Sequence, residues 1–161
     1  MSVRPPETHG YRMNHTMLRV KDPKASLHFY QEILGMDLIA TSENTDFTLY
    51  FLAYDHSEGK LTQEEKAAQR FTREGIVELT HNHGTEHDAN FAGYHNGNKD
   101  PRGFGHIAIT VPDVQAACAR LESLGVPFQK KLTDGKMKHI AFALDPDGYW
   151  IEILPNNFKL N

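Results

Sequence analysis

Two stretches of this chain repeat one another, and each opens on a histidine and closes on a glutamate. The first begins His15-Thr-Met-Leu-Arg-Val20-Lys-Asp22 and reaches Leu34-Gly35 after a helix-like run. The second begins His106-Ile-Ala-Ile-Thr-Val111-Pro-Asp113 and reaches Leu124-Gly125. Counted from each His, Val stands at +5 and Asp at +7 in both, and Gly at +20 and +19. Ile76-Val-Glu78-Leu follows later in the first stretch and Trp150-Ile-Glu152-Ile in the second. A duplicated module with one His and one carboxylate per copy offers a two-His, two-Glu metal site across a pseudo-twofold axis.

Each repeat starts as an alternating strand. His15, Met17 and Arg19 share one face, and Thr16, Leu18 and Val20 the other; Ile107, Ile109 and Val111 form an apolar face with His106, Ala108 and Thr110 opposite. Asp22 with Pro23, and Asp113 in the second copy, predict helix starts; Gly35 and Gly125 predict stops. Leu27, Tyr30 and Leu34 form the first helix's expected apolar stripe. Val114, Ala117, Cys118, Leu121 and Leu124 form the second's. Runs rich in β-branched and aromatic residues then predict strands at 48–54, 75–82, 139–144 and 149–154, the last two joined by the turn Asp145-Pro-Asp-Gly148. The coarse order is βαβββ, twice. A charged, helix-prone segment between Asp55 and Arg73 has no counterpart in the second copy. It accounts for much of the difference in His-to-Glu spacing, 63 residues against 46. The expected organisation is an arm over 1–12, a first module over 13–90 with a helical insertion at about 56–73, a linker over 91–103, and a second module over 104–161.

Composition excludes several classes. A net charge of −4 gives no electrostatic footprint for nucleic acid. No apolar run is long enough to span a membrane, and Met1 to Tyr11 lacks the apolar core of a secretory signal. The single cysteine, Cys118, excludes an intramolecular disulfide and suits a reducing compartment, so the expected location is cytoplasmic.

Strand parity sharpens the metal reading. Glu78, Thr80 and Asn82 face one way, while Val77, Leu79 and His81 face the apolar side. Glu152 interrupts the very apolar run Tyr149-Trp-Ile-Glu-Ile-Leu154, where a carboxylate is costly unless paired or ligated. Two imidazoles and two carboxylates suit Zn²⁺, Ni²⁺, Fe²⁺ or Mn²⁺. Four protein ligands alone make a closed, structural zinc site. Catalysis then needs added water ligands, or a carboxylate able to leave the metal and act as a base. His81, His83 and His87 are set aside as ligands, the first two for their strand face and the last for its polar loop. Arg19 lies on a strand beside His15, where its guanidinium suits a carboxylate-bearing small molecule.

These residues carry a resemblance over about 13–155. His15-Thr-Met-Leu-Arg-Val-Lys-Asp, Leu49-Tyr-Phe-Leu-Ala-Tyr54, Glu78-Leu-Thr-His-Asn82, Tyr94-His-Asn-Gly-Asn, Asp100-Pro-Arg-Gly-Phe-Gly-His106, Gly135-Lys-Met and Asp145-Pro-Asp-Gly-Tyr-Trp-Ile-Glu152 resemble the glyoxalase I (lactoylglutathione lyase) family of the vicinal-oxygen-chelate superfamily. The resemblance implies an α+β fold of two tandem βαβββ modules, whose curved mixed sheets enclose a metal site (glyoxalase/bleomycin-resistance/dioxygenase-like). It implies one divalent metal per site, held by His15, Glu78, His106 and Glu152, with Glu152 and Glu78 as the catalytic carboxylates. Arg19, Asn82 and Arg102 would hold glutathione's carboxylates, with Lys130, Lys136 and Met137 at the other end of the peptide. The substrate would be the glutathione hemithioacetal of methylglyoxal, isomerised through an enediolate to S-lactoylglutathione. A homodimer with its active sites at the interface is expected. The insertion resembles that of the longer, zinc-using members and puts Zn²⁺ ahead of Ni²⁺. His15, where animal members carry Gln, is compatible with either metal.

Overall fold

The computed structural model describes residues 4–158. After a 3₁₀ turn at Pro6–Thr8, the first repeat runs β1 (His15–Val20), α1 (Pro23–Leu27), β2 (Asp37–Glu43), β3 (Phe47–Ala53), α2 (Gln63–Ala68) and β4 (Ile76–Asn82). The second runs β5 (His106–Val111), α3 (Val114–Ser123), β6 (Phe128–Lys130), β7 (Ala141–Leu144) and β8 (Trp150–Pro155). The expected βαβββ order is present in both, with α2 as the insertion. One compact unit takes in the chain up to Pro23 together with Tyr30–Asp88; the other takes in Lys24–Phe29 and the chain from Ala89 on. Among the described residues, no helix is long and apolar enough to cross a membrane.

The two sheets share one topology, β1-β4-β3-β2 and β5-β8-β7-β6. In each, the first strand pairs parallel with the last, and the remaining pairs are antiparallel. Burial follows the alternation read from the sequence. Leu18, Val20, Val77, Leu79 and Leu52 are buried, while His15, Met17 and Arg19 are exposed on the other face of β1.

The helix after β1 departs from its expected stripe. It is α-helical only through Leu27 and then widens to π-helical winding over His28–Ile33. The wider turn moves the buried face, so Ser26, Phe29 and Tyr30 are fully enclosed while Leu27 and Leu34 are only half-buried. Gly35 stops this helix in the left-handed conformation (φ 77°). In α3, Asp113 caps the start by accepting from the Ala116 N–H at 3.0 Å. Its end is a Schellman motif, in which Val126 N–H donates to Leu121 C=O and Gly125 N–H to Glu122 C=O. Leu124 is the C-cap of that motif, beyond the last full turn, and is exposed rather than part of the stripe. Cys118 is buried, which pushes its thiol pKa up.

The insertion is fastened by charge. Thr62 and Glu65 form a reciprocal capping box at the start of α2. Lys66 Nζ then lies 2.9 Å from Asp55 Oδ2 and 3.0 Å from Asp37 Oδ2. Asp55 also accepts from the backbone N–H and the hydroxyl of Ser57. The Lys66 ammonium and these two donors hold the Asp55 carboxyl well below the usual carboxylate range. Because its folded pKa is depressed, the stabilisation is complete above the unfolded pKa of about 3.9 and is lost as pH falls through the folded value. Asp55→Asn is expected to lower the melting temperature and to speed proteolysis within 56–73 at neutral pH. The gap from the parent should narrow as the pH drops below about 4. A gap unchanged between neutral and strongly acidic pH would remove this ion cluster as the anchor.

Candidate functional site

The parallel pairing of β1 with β4, and of β5 with β8, sets the geometry of the two His–Glu pairs. His15 stands opposite Ile76, two residues before Glu78; His106 stands opposite Trp150, two residues before Glu152. Residues two apart on a strand share a face, so each Glu is the diagonal neighbour of its His. His15 Nε2 lies 3.3 Å from Glu78 Oε2, and His106 Nε2 lies 3.2 Å from Glu152 Oε2. The imidazoles are about one-third exposed (36% and 40%) and the carboxylates mostly enclosed (13% and 16%).

These separations exceed the about 2.7–2.9 Å of a charge-assisted hydrogen bond. Two donors held about 2.0–2.2 Å from one cation at tetrahedral or octahedral angles stand roughly 2.9–3.6 Å apart. The donor set therefore fits a divalent ion of the zinc or nickel type. Among the described residues no group of three or more such side chains gathers, so what each unit presents is a pair.

A third repeat-matched residue went unnoticed in the sequence. Phe51 on β3 pairs with Glu78, and Phe142 on β7 pairs with Glu152. Each ring meets its histidine edge-on, with centroids 6.3 Å apart at His15 and 5.3 Å at His106. The signal was in the sequence, since each Phe stands 36 positions after its histidine; only counted back from the glutamates, at offsets of 27 and 10, does the insertion obscure it. Phe51 also joins Ile39, Ala53 and Ile76 in an apolar cluster. Beside it a cavity of about 390 Å³ opens between α2 and strands β2 and β3, lined in part by Ile39, Ala40, Phe51, Gln63, Ala67 and Arg70. Along the same sheet face the surface turns polar, through Thr80 to Arg19 and Asn82. This face therefore has an apolar end beside His15 and a polar, cationic end four residues further along each strand.

The turn after β4 is more organised than a solvated loop. Glu86 accepts from His81 Nε2 at 2.7 Å and from the Gly84 N–H at 3.0 Å; its own backbone N–H first, and then His81, lower its pKa. The Thr85 hydroxyl lies 2.7 Å from Lys21 C=O and 3.0 Å from Asn82 C=O. The turn thus ties the end of β4, which carries Asn82, to the end of β1, which carries Arg19. His81 is 5% exposed and its ring nitrogen is used inside this turn, on the face away from Glu78.

In the second unit, Asn98 Nδ2 donates to Gly105 C=O at 2.7 Å and fixes the main chain just before His106. Gly97 is needed for that approach, since a Cβ there would lie 2.1 Å from the Phe104 carbonyl oxygen. Of the residues expected to bind substrate here, Lys130 has its Nζ directed at three carbonyls, those of Lys131, Met137 and Ile140. Its charge thereby ties down the loop that carries Lys136 and Met137, both exposed. Arg102 lies in the exposed segment before β5, 3.5 Å from Asp100.

The family model described as Glyoxalase/Bleomycin resistance protein/Dioxygenase superfamily matches residues 12–153. The chain is 52% identical to the lactoylglutathione lyase of Pseudomonas putida, over 92% of this chain and 87% of that protein. It is 56% identical to the lactoylglutathione lyase of Schizosaccharomyces pombe over 89% of this chain, spanning about half (47%) of that longer protein. Its fold matches a solved structure of the trypanothione-dependent glyoxalase I of Leishmania major with a TM-score of 0.65, at 32% identity over 90% and 86% of the two chains. The repeated topology, the matched His–Glu pairs and these similarities converge: the chain belongs to the glyoxalase I family of the Glyoxalase/Bleomycin resistance protein/Dioxygenase superfamily.

Proposed function

We propose that this chain is a lactoylglutathione lyase, which isomerises the hemithioacetal of methylglyoxal and glutathione to S-lactoylglutathione and so detoxifies methylglyoxal. The observation that carries the reading is the pair of His–Glu diagonals in identical register, in a chain 52% identical to a lactoylglutathione lyase over nearly its whole length. His15 and Glu78 supply one half of a metal site, and His106 and Glu152 the other. Two chains complete each site, one contributing the first pair and its dimer mate the second. Zn²⁺ is the preferred ion and Ni²⁺ the alternative. When bound, the cation supplies positive charge for the oxygens of the enediolate.

The chain's own groups do the rest. Glu152 takes the proton from the carbon that bears sulfur, and the electron pair passes into a cis-enediolate. The same proton is then delivered to the neighbouring carbon, leaving a thioester and a hydroxyl. No external oxidant or reductant is needed. Glu78 serves the opposite face of the hemithioacetal. Both carboxylates are mostly enclosed, which favours proton transfer over exchange with bulk water. Arg19 and Asn82 hold a glutathione carboxylate at the polar end of the first sheet, and Arg102, Lys130, Lys136 and Met137 take the rest of the peptide. Buried Cys118 is a packed core thiol, in keeping with a cytoplasmic enzyme.

Three substitutions test this reading. His106→Ala should lose most of its bound metal and turnover by elemental analysis and assay; full occupancy with unchanged turnover would overturn the ligand set. Glu152→Gln keeps an oxygen donor but cannot accept a proton, so it should retain much of its metal and lose at least about 10²–10⁴-fold in turnover. Parent-like turnover, with parent-like exchange of the carbon-bound proton for solvent deuterium, would make Glu152 a ligand only. Arg19→Ala should mainly raise KM, by an amount worth about 1.5–3 kcal/mol for a charged hydrogen bond. An unchanged KM would remove Arg19 from the site.

A further inference from the structure

We propose that Asn14 is the positioning residue of the first ligand, and that the insertion acts on the metal site through it. The inference rests on the reading of His15 as a ligand, and it concerns how that imidazole is held. Asn14 immediately precedes β1, and its own C=O accepts the Ile76 N–H at 3.1 Å at the head of the parallel ladder. Its side-chain Nδ2 donates to two carbonyls just beyond α2, Arg70 at 2.8 Å and Arg73 at 2.9 Å. Its Oδ1 lies 2.8 Å from His15 Nδ1.

The two carbonyls decide the rest. Both need donors, so the amide nitrogen must point at them and the amide oxygen must point at His15. An oxygen there can only accept, so Nδ1 must carry the proton. That leaves the Nε2 lone pair free on the side where Glu78 lies, which is the tautomer a metal ligand requires. The Nδ1–H is thus held by the Asn14 amide oxygen whether or not an ion is bound. The same segment reaches His15 by a second route, since Phe71 packs edge-on against Phe51 and Phe51 against His15.

The second repeat lacks this device. Glycine, Gly105, stands where Asn14 stands in the first. Among the described residues no hydrogen bond reaches Nδ1 of His106. The insertion is also absent there. The relay residue and the segment that orients it therefore occur together, in the repeat that has both.

The test uses the zinc-loaded protein with ¹⁵N-labelled histidine. Zinc affinity is measured by competition with a chromophoric chelator, and the His15 ring N–H is followed by NMR. The parent should show a His15 Nδ1–H protected from exchange with water. Asn14→Ala should weaken zinc binding about 10–100-fold, the usual effect of losing an outer-shell partner, and its Nδ1–H should exchange too fast to observe. With zinc kept saturating, His106 should retain its metal-bound resonances. Asn14→Asp keeps an acceptor for His15 but sets a carboxylate against two carbonyl oxygens, so it should not restore affinity. Full restoration by Asp would overturn the insertion's part. Parent-like affinity with a protected Nδ1–H in Asn14→Ala would overturn the role of Asn14. If Asn14→Ala does not fold, the parent spectrum decides, because an unprotected Nδ1–H there overturns the proposal. His15→Ala separates the two levels. Parent-like affinity in that variant refutes His15 as a ligand, whereas lost affinity there with retained affinity in Asn14→Ala refutes only the relay.

Discussion

In each repeat the first strand runs parallel to the last, and the rest of the site depends on that pairing. A parallel partner must return through a crossover, so the helix and the two intervening strands are threaded between the His strand and the Glu strand. The register then puts Glu two residues beyond the partner of His, in both copies. A slip of one residue would turn Glu78 or Glu152 toward the core. Burial of alternate residues on the opposite face opposes that slip, because Leu18, Val20, Val77 and Leu79 in the first unit, and Ile151 and Ile153 in the second, would all have to leave it. The His–Glu geometry is thus maintained by apolar residues on the opposite face of each sheet.

A mostly enclosed carboxylate needs a cation or donors, and the insertion does not supply them to Glu78. The insertion carries its own charges, Lys66 against Asp55 and Asp37, and these fasten α2 to the sheet rather than to the His–Glu pair. Arg73 contributes a hydrogen bond to Tyr54 C=O but leaves Nη1 buried without a partner. Such a cost is tolerable in a segment whose ends are clamped by several other bonds. In the second unit Lys130 has a comparable structural task, gathering three carbonyls of the loop before β7. A lysine in that position holds its loop in shape while keeping a positive charge beside it.

Much of this was legible in the sequence because it rests on period and offset. The +5 Val and +7 Asp of each repeat mark the strand and the helix start, and strand parity placed Glu78 and Asn82 on one face. The less visible parts depend on partners distant in sequence or on local geometry. Phe142 and Phe51 stand at the same +36 offset from their histidines, but what each ring touches follows only from the pairing of β3 with β4 and of β7 with β8. Strands β2 and β6 were not delimited, since Asp37–Glu43 ends in polar residues and Phe128–Lys130 is only three residues long. The shift to π-helical winding moved the buried stripe from Leu27 and Leu34 to Ser26 and Phe29, which a 3.6-residue period cannot anticipate. Glu86 read as part of a solvated loop because its partner, His81, faces away from Glu78.

Asn14 shows most clearly why offsets alone fall short. In sequence it is one polar residue before a strand, and its two carbonyl partners lie more than fifty positions away. Yet its amide has only one orientation that satisfies them, and that orientation sets its oxygen against Nδ1 of His15. The duplicated register gives both repeats the same His–Glu diagonal, while the insertion lets one of them hold its imidazole from behind. Two copies with equal His–Glu spacing therefore differ in how each imidazole is contacted. The difference originates in the α2 segment, at residues that do not themselves belong to the His–Glu pair.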